Sequence, residues 1–307
     1  MSESGIHKIG VIGIGTMGNG IAQVCAQSGF DTKVMDVSDA VIERGMATIK
    51  KSLDRLVAAF EKSAGEKGIS AETRDVALGR LSTTSKLDEL MDRELIIEAV
   101  PEKPELKEQI NHKLAELQYA GTLVSNTSGI SITRLAAAFG APERYMGMHF
   151  MNPVPMQQGV EIIRGLMTSD ATYSKIVALC HDLGKIEIPA EDKAGFAINR
   201  MWVPFVNEAI RIVEEGVAGV EDVDKCTLCL GHKMGPLMTA DYVGLDTMLF
   251  IAEVLAAEFG SPYMPSPLLR RLVESGQLGA KNGVGFYVWT EGKASGVNPA
   301  VARYRIK

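Results

Sequence analysis

The sequence predicts an α/β domain built on a parallel sheet, followed by an all-helical domain, and three observations carry that expectation. Short runs rich in Ile, Val and Leu alternate with helical patterns through the first half, as βαβ units do. The first of these runs leads straight into a glycine-rich turn. After about residue 190 the strand signals fade into helical stretches punctuated by Gly and Pro.

Composition sets the frame. The chain has 307 residues, 46% apolar and 23% charged, the proportions of a globular protein of about two domains. Lys and Arg total 32 against 38 acidic residues, a net charge of −6. That balance offers no basic field for nucleic acid or an anionic membrane, so neither is expected as a partner. No apolar run reaches the roughly 18 residues of a membrane span. The opening MSESGIHKIG has no charged segment followed by an apolar one, so no secretory signal is expected and a cytoplasmic setting is. Four cysteines do not make a disulfide framework in a chain of this length. Cys226 and Cys229 form a lone CxxC without a second ligand pair nearby. They are expected on a helix as small apolar residues, and no metal site is expected.

Strands are expected at 8–14, 32–35, 95–100, 122–125 and 145–150, with two more at 160–163 and 185–188 extending the sheet. Between the second and third, Ile42, Met46, Ile49, Leu53, Leu56 and Phe60 recur at intervals of three and four, the seam of a long helix packed along a partner. A break at Gly65–Gly68 and a second helical pattern complete a helical hairpin over about 38–81 that projects from the sheet domain. Helices are expected at 196–215, 220–230, 246–258 and 267–274. The domains are then 1–190 and 191–307, with the boundary between Pro189 and Gly195.

The turn after the first strand reads Gly13-Ile14-Gly15-Thr16-Met17-Gly18, a G-x-G-x-x-G that opens a helix. Gly13 permits the tight turn, Gly15 lets a pyrophosphate approach the backbone, and Gly18 lets helix pack on strand. Thr16 and Met17 complete the loop, whose exposed amides hold the anion. The second strand ends at Asp36, eighteen residues after Gly18. A carboxylate there can bind both ribose hydroxyls and would repel a 2′-phosphate, which favours NAD over NADP. The alternative for Asp36 is a helix cap, for which Ser38 is better suited. The first domain is therefore expected to be a Rossmann-type dinucleotide-binding domain.

Of five histidines, His149 is singled out by position. It ends the strand at 145–150 and leads into Met151-Asn152-Pro153-Val154-Pro155, and ligands of open α/β sheets gather beyond the carboxyl ends of strands. A histidine base needs an orienting partner. Glu161 is a candidate, lying in an otherwise apolar strand where an unpaired carboxylate is costly to bury. Spacing alone leaves open that Glu161 faces outward.

The segments GIGTMGNGIA at 13–22, EAVPE at 98–102, SNTS at 125–128, HFMNPVP at 149–155, VEII at 160–163, INR at 198–200, MGP at 234–236, DYVGLDT at 241–247 and GVGFY at 283–287 carry a resemblance over nearly the whole chain. In this order and spacing the sequence resembles the NAD-dependent L-3-hydroxyacyl-CoA dehydrogenases, including the short-chain 3-hydroxybutyryl-CoA enzymes of fatty acid metabolism. The resemblance implies reversible oxidation of a (3S)-3-hydroxyacyl-CoA to the 3-ketoacyl-CoA. It makes His149 the base, Glu161 its partner, Asn199 the residue that positions substrate, and Ser128 a contact to both substrate and cofactor. Asp36, Glu102, Lys107, Asn126, Asn152 and Lys281 fall on the cofactor side. Ser52 matches a CoA contact. Ala59 stands where the best-known members carry a lysine near the CoA phosphates, and Lys62, three residues on, can take nearly the same helix face. The resemblance also implies a homodimer formed through the helical domain. Two rival readings are a dehydrogenase of a small free hydroxy acid on the same plan and a non-catalytic NAD-binding protein.

Overall fold

In a computed structural model that describes residues 2–302, the chain forms two compact units. One runs up to Lys193 and the other begins at Ala194.

The first unit holds β1 (Lys8–Ile12), α1 (Thr16–Gln27), β2 (Asp31–Met35), α2 (Asp39–Lys62), α3 (Ala71–Gly79), β3 (Leu81–Thr84) and β4 (Leu95–Glu98). It continues with α4 (Pro104–Glu116), β5 (Thr122–Ser125), α5 (Ile132–Phe139), β6 (Tyr145–Phe150), β7 (Gly159–Arg164), α6 (Asp170–Asp182) and β8 (Ile186–Glu191). The strands form one sheet of eight in the order β3-β2-β1-β4-β5-β6-β7-β8. All neighbours are parallel except β6 and β7. The central strands β4, β5 and β6 are buried at every position, as strands covered on both faces must be.

The strand β3 is missing from the sequence expectation. Its residues Leu81-Ser-Thr-Thr84 are largely exposed at the sheet edge, so no apolar run marks them. The helical hairpin is α2 and α3, and it is less free-standing than expected. Ile49 and Leu53 of α2 are buried in the core of the sheet unit, and a Cβ on Gly45 would come within 2.5 Å of Ile14. Helix ends follow local chemistry: Ser131 accepts from the Arg134 amide to start α5 and Ser169 from the Thr172 amide to start α6, each an N-cap.

The second unit holds α7 (Ile198–Glu214), α8 (Val220–Cys229), α9 (Pro236–Val243), α10 (Leu245–Phe259), α11 (Pro267–Glu274), a hairpin of β9 (Tyr287–Thr290) and β10 (Lys293–Val297), and a short α12 (Pro299–Ala302). That hairpin departs from the all-helical expectation. It turns on Glu291 and Gly292, both at positive φ (52° and 76°), the conformation that suits a tight two-residue hairpin.

Two buried carboxylates tie this unit together. Asp241 accepts from the amides of Phe286 and Tyr287 and from Trp289 Nε1 at 2.8–2.9 Å. Asp224 accepts from the Leu237 and Met238 amides and from the Tyr287 hydroxyl. The DYVGLDT and GVGFY segments thus form one locked corner. Cys226 and Cys229 lie on α8 as expected, but both are exposed. Among the described residues, no helix is long and apolar enough to cross a membrane.

Candidate active site

The glycines after β1 have three distinct reasons. Gly13 adopts φ +93°, and a Cβ there would sit 2.8 Å from the Ala99 carbonyl. A Cβ on Gly18 would fall 1.6 Å from the Gly13 carbonyl oxygen, so α1 can lie this close only with glycine. At Gly15 a Cβ would meet nothing within 4 Å, and this residue begins α1 with no side-chain cap on the helix amides. Open space in front of uncapped amides at a helix N-terminus is what a pyrophosphate needs. A cavity of about 810 Å³ opens here, lined by Gly13, Gly15, Thr16, Met17, Asp36, Glu102, Asn126 and Ser128 among others. These residues fit a dinucleotide.

Asp36, just beyond β2, already has one partner on each carboxylate oxygen. Oδ2 accepts from the Ile14 amide at 2.8 Å and Oδ1 from the Val37 amide at 2.7 Å. Each oxygen has a further lone pair for a ribose hydroxyl. Asp36 therefore also braces the glycine loop, and Ser38 stands at the start of α2.

Glu102 organises the loop after β5. Its Oε1 accepts from the Ser128 amide at 2.7 Å, the Gly129 amide and the Thr127 hydroxyl. Lys107 is buried beside two carboxylates. Its side chain is 1% exposed, with Nζ 2.7 Å from Glu98 Oε1, 3.3 Å from the Val100 carbonyl and 3.4 Å from Glu102 Oε2. A buried ammonium so engaged supports the cavity wall from behind. Glu98, fully buried at the end of β4, also accepts from Ser125 Oγ and the Val100 amide. Its place in an otherwise apolar strand end was the signal for a buried, paired carboxylate.

His149 and Glu161 face each other. Antiparallel pairing of β6 with β7 sets His149 opposite Glu161, and Nδ1 lies 2.7 Å from Glu161 Oε2 with both residues buried. The outward-facing alternative for Glu161 is thereby excluded. A carboxylate can only accept, so Nδ1 donates and Nε2 carries the basic lone pair. Asn126 links this pair to the cavity: it lines the cavity, and its Oδ1 accepts from the Phe150 amide next to His149.

The remaining expected residues are more dispersed. Asn152 is exposed in the loop between β6 and β7. Ser52 is half-buried on α2, and Lys62 is exposed in its last turn. In the second unit, Asn199 is buried in the first turn of α7, and Lys281 has its ammonium 2.6 Å from Asp246 Oδ2.

A nucleotide cradle and a paired histidine, both at the carboxyl ends of one sheet's parallel strands, are what a nicotinamide-dependent dehydrogenase requires, and the first unit is of that class. Residues 8–193 match the NAD-binding domain of 3-hydroxyacyl-CoA dehydrogenase, and residues 195–289 match its C-terminal domain. The chain belongs to the 3-hydroxyacyl-CoA dehydrogenase family and is an oxidoreductase that uses NAD. It is 47% identical to a 3-hydroxybutyryl-CoA dehydrogenase of Bradyrhizobium diazoefficiens, over 92% of this chain and 95% of that protein. It is 46% identical to a probable 3-hydroxybutyryl-CoA dehydrogenase of Deinococcus radiodurans, over 91% of this chain and 99% of that one. The crystal structure of the (S)-3-hydroxybutyryl-CoA dehydrogenase PaaH1 from Ralstonia eutropha superposes with a TM-score of 0.86 at 41% identity, covering 93% of this chain and 100% of that one.

Proposed function

We propose that the chain interconverts short-chain (3S)-3-hydroxyacyl-CoA thioesters and their 3-ketoacyl forms, with the four-carbon 3-hydroxybutyryl group as the leading substrate. The observation that carries this reading is the His149–Glu161 pair beside a dinucleotide cradle in a chain of this family. The relatives' names support the short acyl chain.

NAD, when bound, supplies the acceptor for the hydrogen that leaves C3 with its electron pair. In oxidation, His149 Nε2 takes the hydroxyl proton as the C3 carbonyl forms; in reduction the imidazolium returns it. Glu161 holds the ring in one tautomer and stabilises the imidazolium. Ser128, on the cavity wall and fixed through its amide by Glu102, is assigned to both substrate and cofactor. Asn199 is assigned the thioester carbonyl, where it would align C3 for reaction. Ser52 and Lys62 are assigned to CoA, and Asn152 and Lys281 to the cofactor.

We also propose a homodimer formed through the second unit, in the cytoplasm. Met201 and Phe205 of α7 and Leu228 and Leu230 at the end of α8 are exposed, an apolar group of the sort that a partner covers.

The deciding experiment compares (S)-3-hydroxybutyryl-CoA with free 3-hydroxybutyrate at saturating NAD+, together with a series of acyl lengths. We expect kcat/KM for the thioester to exceed that for the free acid by at least about a hundredfold, because binding of the remote CoA drives the chemistry. Equal values would favour the free hydroxy acid dehydrogenase. No turnover of either would favour the non-catalytic protein.

A further inference from the structure

Lys185 lies between α6 and β8 and is nearly fully buried. Its Nζ donates to the Val154 carbonyl and to the Gln157 carbonyl, each at 2.7 Å. No carboxylate forms an ion pair with it among the described residues. Both carbonyls belong to the loop of residues 151–158 that leaves His149 and carries Asn152. The same loop is anchored twice more. Val154 packs on α1, where a Cβ on Gly20 would come within 2.9 Å of it, and the Ile186 amide donates to the Gln158 carbonyl. A buried cation without a counter-ion costs stability, so its place under this loop calls for a functional account.

We propose that Lys185 is a positioning residue for the reaction: its ammonium, bridging two carbonyls of the 151–158 loop, holds that loop in the shape that cofactor binding requires. The inference rests on the reading above that Asn152 contacts the cofactor.

Charge is the active part of this clamp, since hydrogen bonds from an ammonium are about twice as strong as those from a neutral amine. Burial lowers the proton affinity of Lys185 below that of an ordinary lysine. The titratable groups that face it are Cys25 on α1 and Cys180 on α6. Burial pushes both thiols up to about 12, so they stay neutral while Lys185 titrates. The loop itself contains only Met, Asn, Pro, Val and Gln between Met151 and Gln158. The sign of the stability effect separates positioning from a merely structural role. A lysine whose folded proton affinity lies below its unfolded one binds its proton less in the fold. Raising pH through that window therefore adds stability, while it weakens the clamp on the loop.

The test measures NADH affinity, KM values and thermal stability for wild type, Lys185→Met, Lys185→Arg and, as a control on the loop, Asn152→Ala. In wild type, the dissociation constant for NADH should rise at a pH below the ordinary lysine value of about 10.4, without loss of thermal stability. Lys185→Met should bind NADH about tenfold more weakly at neutral pH, keep KM for acyl-CoA within about twofold, and lose the alkaline rise. Lys185→Arg, charged throughout, should restore part of the affinity and also lack the rise. Wild-type NADH affinity with an unchanged alkaline rise in Lys185→Met would overturn the proposal, as would a stability loss with no change in KM or pH profile. If Asn152→Ala weakens NADH and Lys185→Met does not, the proposal alone fails. If Asn152→Ala binds NADH like wild type, the reading of the loop falls and the proposal with it.

Discussion

His149 and Glu161 are direct neighbours across the only antiparallel pair in the eight-stranded sheet, with the imidazole Nδ1 2.7 Å from a fully buried carboxylate. The relationship is set by backbone register, because β6 and β7 continue to pair on both sides of it, Phe150 with Val160 and Met148 with Ile162. Side chains directly opposite in such a pair have Cβ atoms about 4.5–5.5 Å apart. A carboxylate one position away along β7 would face the other side of the sheet.

The first prediction follows from that geometry. Glu161→Gln keeps the shape of the side chain but removes the charge that stabilises the imidazolium, and its amide can present a donor to Nδ1 and favour the wrong tautomer. We expect kcat to fall by about 10²-fold or more, with KM for NAD+ within about twofold. Steady-state kinetics at pH 7 checks this, and a kcat near that of wild type would show that Glu161 does not act through His149.

Asp36 is expected to govern cofactor choice. Asp36→Ala removes the acceptor for the ribose hydroxyls and also releases the Ile14 and Val37 amides. KM for NAD+ should rise about tenfold and the preference over NADP+ should narrow. Wild-type enzyme that used both cofactors equally would place Asp36 away from the ribose.

How much of this was legible in the sequence depended on whether the chemistry was local. The glycine loop and Asp36 follow strand ends and His149 is the penultimate residue of β6 before its loop, each within a contiguous segment, so spacing and strand pattern single them out. The pairing of Glu161 with His149 depends on the register of two strands joined by the 151–158 loop, which spacing does not define. The edge strand β3 carries a polar sequence and gave no apolar signal. Resemblance alone puts Lys107 on the cofactor side and no local pattern marks Lys185 as special; the fold shows both buried, beneath the cavity wall and the loop.

The CoA end offers a third test. Ala59 supplies no charge, and Lys62 is exposed at the end of α2, where a single contact to phosphate is weak in water. Dephospho-CoA thioesters should work with a KM within about tenfold of the CoA thioesters, and Lys62→Ala should raise KM for acyl-CoA no more than several-fold with kcat kept. A tenfold or larger KM penalty for the dephospho substrate in wild type would show a stronger phosphate grip elsewhere.

Asp182 gives a pH dependence. Partial burial raises its proton affinity, but the hydroxyls of Ser4 and Ser2 and the amides of Glu3 and Ser4 stabilise the carboxylate more, holding it at about 2. Because the folded value lies below the unfolded one of about 3.9, its contribution to stability is present above that value and is lost as pH falls through about 2. The difference in melting temperature between wild type and Asp182→Asn should therefore be largest near pH 5 and shrink toward pH 2. A constant difference would contradict the assignment.

The central claim, that His149 is the base of an NAD-dependent 3-hydroxyacyl-CoA dehydrogenase, is tested most directly by kcat for (S)-3-hydroxybutyryl-CoA in His149→Gln, with NADH affinity measured on the same preparation. The account predicts a fall of at least about 10²-fold in kcat with NADH affinity unchanged; a variant that binds NADH normally and keeps most of its kcat would contradict it.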